Sequence, residues 1–194
     1  MATSSDNVLV GTPDQSVSGA ILCAVKGTAL PANASATLNA AFADAGYVSE
    51  DGITITPARS TKNIKDWSAS TVRTVLESFD GTISWTQLEV NTQSLKNTFG
   101  DAYVTETPAN GAHGKQVTVG IGAHEMPIKS WAFKIKDGSK KVLVIVPNGQ
   151  ITEAGDIAFK SGEAVTLPVT LSCYPDSVGN SIYIHTDDGI TTGV

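Results

Sequence analysis

Gly46-Tyr47-Val48-Ser49-Glu50-Asp51-Gly52-Ile53 opens the stretch that decides the fold, and that stretch runs on to Gly100. A polar connector holding Trp67 leads to Thr71-Val72-Arg73-Thr74-Val75-Leu76 and then to Phe79-Asp80-Gly81. Next comes Ile83-Ser84-Trp85-Thr86-Gln87-Leu88-Glu89-Val90, and Asn91-Thr92-Gln93-Ser94-Leu95-Lys96-Asn97-Thr98-Phe99-Gly100 closes the stretch. Ile83, Trp85, Gln87 and Glu89 alternate with Ser84, Thr86, Leu88 and Val90, the period of a strand. Asp80-Gly81 between two strand-like runs is a two-residue turn signal, predicting a hairpin of Ser70–Phe79 with Thr82–Val90. Asn91 predicts a helix N-cap and Gly100 its stop, with Leu95 and Phe99 four apart on the apolar side. No residue here is poised for chemistry. The stretch is built to pair strands and to contact neighbours.

The ordered set resembles the major tail protein, or tail tube protein, of long-tailed bacteriophages with non-contractile tails. An Ala-rich lead-in, Leu30 to Ala45, precedes the set and a β-rich half follows it, so the resemblance covers most of the chain. It implies an all-β fold with one short α-helix, a β-sandwich or β-barrel of the phage tail tube type with extended loops and terminal arms. It implies homo-hexameric rings stacked into a hollow tube that conducts double-stranded DNA to the host. The expected partners are further copies of the chain, other tail proteins such as tape measure, tail terminator and tail tip, and DNA in transient, non-specific passage. The expected location is the virion, after synthesis and assembly in the host bacterial cytoplasm. Some relatives carry an added immunoglobulin-like domain, for which 194 residues leave no room.

On this reading residues 1–194 form a single tail-tube domain, with an arm over 1–18, a long inter-ring loop over 46–68, a helix over 91–100 and a C-terminal segment over 175–194. Tyr47, Glu50, Asp51 and Trp67 are the candidates for inter-ring or subunit contacts. Arg73, Glu77, Gln87 and Glu89 are candidates for the lumen or for subunit contacts. Trp67 stands apart because a large apolar ring in a polar loop has no obvious core partner; it anchors the loop on its own domain or on a neighbouring subunit.

Composition points the same way. Charged residues are 16% of the chain, against roughly 25% in ordinary soluble domains. A surface poor in charge suits burial against other subunits, because each buried charge costs desolvation energy. The alternative is a Thr-rich β protein with no such cover. The net charge is −6, and Lys140-Lys141 is the densest basic pair. Phosphate binding needs several clustered cations, so the chain does not read as a DNA binder. An acidic balance suits a wall past which DNA slides, since like charges repel.

The rest of the chain reads as short strands between turns. Gly19–Lys26 is a short apolar strand and Pro31–Ala45 one or two helical turns. Ile53–Thr56 is a strand that Pro57 ends. Trp131, Phe133 and Ile135 alternate within Ile128–Lys136. Lys141–Val146 has no alternation, so both its faces are expected to be covered, and Pro147-Asn148-Gly149 then turns the chain. Ala164–Cys173 and Asn180–His185 are further strands, and Ile151–Phe159 is ambiguous. Short strands at close spacing indicate an all-β sandwich or barrel.

No cofactor, metal or catalytic set is expected. His124-Glu125 lacks the second histidine of a zinc-protease motif, and Glu50-Asp51-Gly52 and Asp187-Asp188-Gly189 lack the remaining ligands of a calcium loop. Cys23 and Cys173 read as buried reduced thiols, though a disulfide stays open. Met1–Asp6 has no signal-peptide character, and the longest apolar run, Val142–Val146, is far short of a membrane span. Two other readings remain: the tube protein of a phage-derived bacteriocin or type VI secretion machine, and a monomeric β-sandwich binding module. The module would elute as a monomer and would show an exposed aromatic platform.

Overall fold

Val142-Leu143-Val144-Ile145-Val146 needs cover on both faces, and the fold is arranged around it. The computed structural model describes residues 8–14 and 19–191. Its strands are β1 (Thr12–Pro13), β2 (Ile21–Val25), β3 (Ala43–Asp44), β4 (Val48–Lys65), β5 (Thr71–Gln87), β6 (Val104–Thr107), β7 (Gln116–Val119), β8 (Lys129–Asp137), β9 (Lys140–Ala154), β10 (Leu167–Tyr174) and β11 (Tyr183–Asp187). One α-helix, α1 (Thr92–Phe99), occurs among the described residues, and a 3-10 turn follows at Asp101–Tyr103. The expected N-terminal arm over 1–18 lies partly outside the described residues, and so do 192–194.

Nine strands join one antiparallel sheet in the order β3-β2-β8-β9-β10-β5-β4, with β1 added on β8 and β11 on β9; β6 and β7 form a separate pair. The sheet curls without closing into a barrel, so β3 and β4 remain as its two ends. Inside the curl, Val142, Val144 and Val146 meet Ile21, Ile83, Trp85, Trp131, Phe133 and Leu171. Trp85 sits at the centre, 5.4 Å from both Trp131 and Phe133, edge-on to the latter at 75°. On the outer face Leu143 and Ile145 pack with Leu22, Phe42 and Ala132. The run is therefore covered on both sides, as its lack of alternation requires.

α1 forms where expected. Asn91 Oδ1 accepts from the Ser94 amide at 2.8 Å, Ser94 Oγ accepts from the Asn91 amide at 2.9 Å, and Gly100 caps the other end at φ 92°. Its buried residues are polar, however: Ser94, Asn97 and Thr98, with Leu95 and Phe99 half-buried. They face other polar groups. The Gln87 amide donates to Thr98 Oγ1 at 2.9 Å, and the Cys23 thiol donates to Asn97 Oδ1 at 3.0 Å.

Five expectations are corrected. Asp80-Gly81 is not a turn: β5 runs straight through it, and its hairpin partner is β4, with Pro57 opposite Gly81 and Ala58 opposite Asp80. Gly81 is needed for space, since a Cβ there would lie 3.0 Å from the Phe79 ring and 3.3 Å from Ile182. Pro57 does not end a strand, because β4 is an end strand and a missing donor there breaks no ladder. The expected loop over 46–68 is accordingly mostly strand.

Pro147-Asn148-Gly149 is not a turn either. β9 continues to Ala154 with a bulge rather than a reversal: Trp131 pairs with Val146 and Lys129 with Gly149, so the extra residue lies in β9, at Pro147-Asn148. A Cβ at Gly149 would stand 2.7 Å from the Trp131 ring, so this glycine makes room for the indole, whose Nε1 donates to the Gly149 carbonyl at 3.3 Å. Lastly, Pro31–Ala45 holds no helix. Asn33 and Asn39 accept backbone hydrogen bonds from Ser35 (3.0 Å) and Ala41 (2.9 Å), and these side-chain turns displace helical bonding. Leu38 and Phe42 land on the outer apolar cluster instead.

Candidate functional site

β10 pairs with β5 only from Gly81 to Gln87. Beyond that point β4 and β5 have only each other, from Ala58 opposite Asp80 to Lys65 opposite Thr71, with irregularities at Ser60/Thr61 and Ile64/Lys65. Every residue from Thr56 to Thr74 is exposed. A two-stranded ribbon of this kind is marginal in water by itself. It nevertheless displays Ile64, Trp67, Val72, Leu76 and Phe79. Its own polar links are few: Thr74 Oγ1 donates to Asn63 Oδ1 at 2.8 Å, Ser60 Oγ donates to Glu77 Oε2 at 3.4 Å, and the Arg59 guanidinium lies 6.0 Å from the Phe79 ring centre.

The tip is tied more firmly. Asp66 donates its amide to the Ser70 carbonyl at 2.9 Å, and its carboxylate accepts from the Ser70 amide and the Ser68 hydroxyl, each at 2.8 Å. Those bonds, that from Ser68 foremost, hold the Asp66 carboxyl below the usual range. Ala69 takes the left-handed conformation, φ 64°, to close the turn. Trp67 stands on this fixed turn with a relative exposure of 104%. An indole wholly in water forgoes all of its burial energy.

The other candidate residues divide into three groups. Arg73 and Glu77 lie on the ribbon with Trp67. Tyr47 (61% exposed), Glu50 and Asp51 lie just before and within the first residues of β4, at the end of that strand away from the ribbon, where Val48 pairs with Gln87. Gln87 and Glu89 belong to the scaffold. Gln87 is buried at 1% exposure against α1. Glu89 accepts from the Tyr47 amide at 3.0 Å and from Asn91 Nδ2 at 2.9 Å, clamping the start of β4 to the start of α1. Gly46, φ 90°, leaves the space this carboxylate fills, because a Cβ there would sit 2.6 Å from the Glu89 carboxyl carbon.

Sequence reading missed a groove at the ribbon root. Ile55, Pro57, Leu76, Phe79, Ile182 and Ile184 line an open apolar space of about 720 Å³. Simple alternation puts Leu76 and Phe79 on opposite faces. The bulge that leaves Glu77 without a partner, with Ser60 opposite Ser78 and Thr61 opposite Leu76, brings them to the same one.

Cys23 and Cys173 are both buried free thiols. Burial pushes both up, Cys173 to about 12. No group of three or more His, Cys, Asp or Glu residues able to hold a metal occurs among the described residues. His124 stacks on Tyr103 with ring centres 3.8 Å apart. No helix among the described residues is long and apolar enough to cross a membrane.

The family model described as phage tail tube protein matches residues 1–188. The chain belongs to the phage tail tube protein family. As a tail tube protein it is a structural component of the virion and not an enzyme. It is also similar to a solved structure, the cap that terminates the tube of the anti-feeding prophage, at 13% identity over 96% of this chain and 100% of that one, with a TM-score of 0.47. No curated protein matches the chain.

Proposed function

We propose that this tail tube protein forms six-membered rings that stack into a hollow tube, and that the tube conducts double-stranded DNA to the host in a long-tailed phage with a non-contractile tail. The observation that carries the reading is the ribbon Ala58–Asp80, which leaves the sheet without a third strand and ends in a wholly exposed Trp67. A single copy has no use for such an element, whereas a neighbour completes it. The curled sheet adds support. Its ends, β3 and β4, stay open, and joining the end of one copy to that of the next around a ring removes the exposed edges.

On this reading the whole chain, 1–194, acts as one tube-forming unit. The ribbon bridges neighbours through Trp67, Arg73 and Glu77, assisted from the opposite end of β4 by Tyr47, Glu50 and Asp51; residues 1–18 and 175–194 have the same bridging role. The net charge of −6 keeps the bore from gripping DNA. Tape measure, tail terminator and tail tip proteins meet the tube along its lumen and at its ends, and assembly takes place in the host cytoplasm. Negative-stain electron microscopy of concentrated protein tests the proposal. Hollow rods about 10 nm wide are expected from six domains of this size around a pore. A protein that stays monomeric at every concentration refutes it.

A further inference from the structure

The ribbon and the body of the chain differ in charge. Residues 58–80 carry four cations, Arg59, Lys62, Lys65 and Arg73, and three anions, Asp66, Glu77 and Asp80. That is a net of +1 in a chain whose total is −6, so the remainder carries −7. The apolar groove lies at the root of this positive ribbon. Its walls include Leu76 (63% exposed) and Ile184 (58% exposed), and Gly179, Asn180 and Ser181 form one lip. Asp176 is fixed beside that lip. Its carboxylate accepts from Tyr183 Oη at 2.6 Å and from the Val178 and Asn180 amides at 2.9 and 3.1 Å.

Trp67 cannot reach the groove of its own copy. Its ring is wholly exposed, and the four residues 62–65 of β4 separate the tip from Thr61 and its pair Leu76 at the near end of the groove, roughly 13 Å at about 3.3 Å per residue. Each copy thus bears an unpartnered aromatic side chain and an unfilled apolar groove that cannot meet within it. We propose that Trp67 of one copy seats in the groove of the next, its indole against Leu76, Phe79 and Ile184, with Lys65 of the incoming tip facing Asp176 of the receiving copy. The inference rests on the tube reading and deepens it by naming the contact. The space is large enough for the ring and part of the turn that carries it, and Arg59, already over Phe79, offers a cation to the indole face. A positive tip selects a negative receiver, and the body of this same chain is one. Tip and groove are different surfaces, so the contact is heterologous and propagates from copy to copy.

Two single variants of the full chain test this, Ser68→Cys beside Trp67 and Thr61→Cys on the groove wall. Both positions are exposed, and the buried Cys23 and Cys173 do not compete for reagent. The two are mixed, assembled and treated with a short bis-maleimide. Covalent dimers are expected in the mixture and not in either variant alone. Tubes that form without this cross-link overturn the docking contact and leave the tube reading intact; absence of both tubes and cross-link overturns both. As a second measurement, Trp67→Ala, Leu76→Asp and the double variant form a cycle. Each single change is expected to raise the critical concentration roughly 30-fold or more, and the double no further than the larger single. Full additivity overturns the pairing.

Discussion

Truncating Trp67 to alanine separates the folding of the subunit from its assembly. The ring touches nothing in the protomer, and the turn beneath it is held by Asp66, Ser68 and Ser70. Exposed substitutions of this kind change stability by no more than about 0.5 kcal/mol, so the melting temperature of the dispersed subunit should not move. Assembly should respond strongly. A tryptophan buries about 150–250 Å² in a contact. At about 25 cal/mol per Å² that is roughly 4–6 kcal/mol as an upper bound. Ordering costs reduce it, and truncation of a central aromatic anchor typically costs about 2–4 kcal/mol. With about 1.4 kcal/mol per factor of ten, the critical concentration for polymerisation rises roughly 30- to 1000-fold. Light scattering against concentration, with sedimentation of the polymer, measures it, and Trp67→Phe should fall between wild type and Ala. An unchanged critical concentration refutes the contact role, as does a fall in subunit stability with assembly intact.

Three further outcomes follow from the packing and the charges. Gly149→Ala places a methyl 2.7 Å from Trp131 and 3.0 Å from Leu171, inside the core; thermal or denaturant unfolding should show a loss of about 1–3 kcal/mol. The Lys129 side chain is only 9% exposed and its Nζ lies 2.7 Å from Asp101, so Asp101→Ala should strand a buried cation and cost about 1–3 kcal/mol by the same measurement, with Asp101→Asn losing less. Hydrogen bonds, that from Tyr183 first for Asp176, that from Ser35 first for Asp187 and that from Lys115 first for Glu106, lower these carboxyls from ordinary values of 3.8 (Asp) and 4.5 (Glu). A depressed folded pKa means that the unfolded chain binds more protons in this range. The stabilisation is therefore complete above the ordinary values and is lost as pH falls through and below them, so the melting temperature should drop from pH 5 towards pH 3, less steeply in Asp176→Asn.

Periodicity reports burial, and it was legible wherever one face is buried. Trp131, Phe133 and Ile135 alternate in β8 because the inner face takes the large side chains while Ser130 and Ala132, also buried, occupy the other face, and the unbroken Val142–Val146 run announces its two covered faces. The helix was legible in its caps, because Asn91 and Ser94 satisfy each other's amides whatever lies around them. Its buried side was not, since Ser94, Asn97 and Thr98 are interior only because Gln87 and Cys23 wait opposite. The ribbon has both faces in solvent and so left no alternation to read, and its first strand passed for loop. Asp80-Gly81 and Pro147-Asn148-Gly149 misled for a shared reason. Turn chemistry and close packing both select glycine, and only the surroundings, Phe79 for Gly81 and Trp131 for Gly149, tell which applies. Trp67 was visible as an anomaly. The groove was not, because a bulge placed Leu76 beside Phe79.

Pro57 interrupts the outer margin of β4, and Lys62 and Lys65 stand further along it. An unrelated extended polypeptide that tried to zip onto this margin would meet a missing donor and then two positive charges, poor templates for cross-β stacking. On the proposed tube reading, the subunit is thereby steered away from fibrils before it assembles, and lateral growth is left to a partner whose shape tolerates the gap.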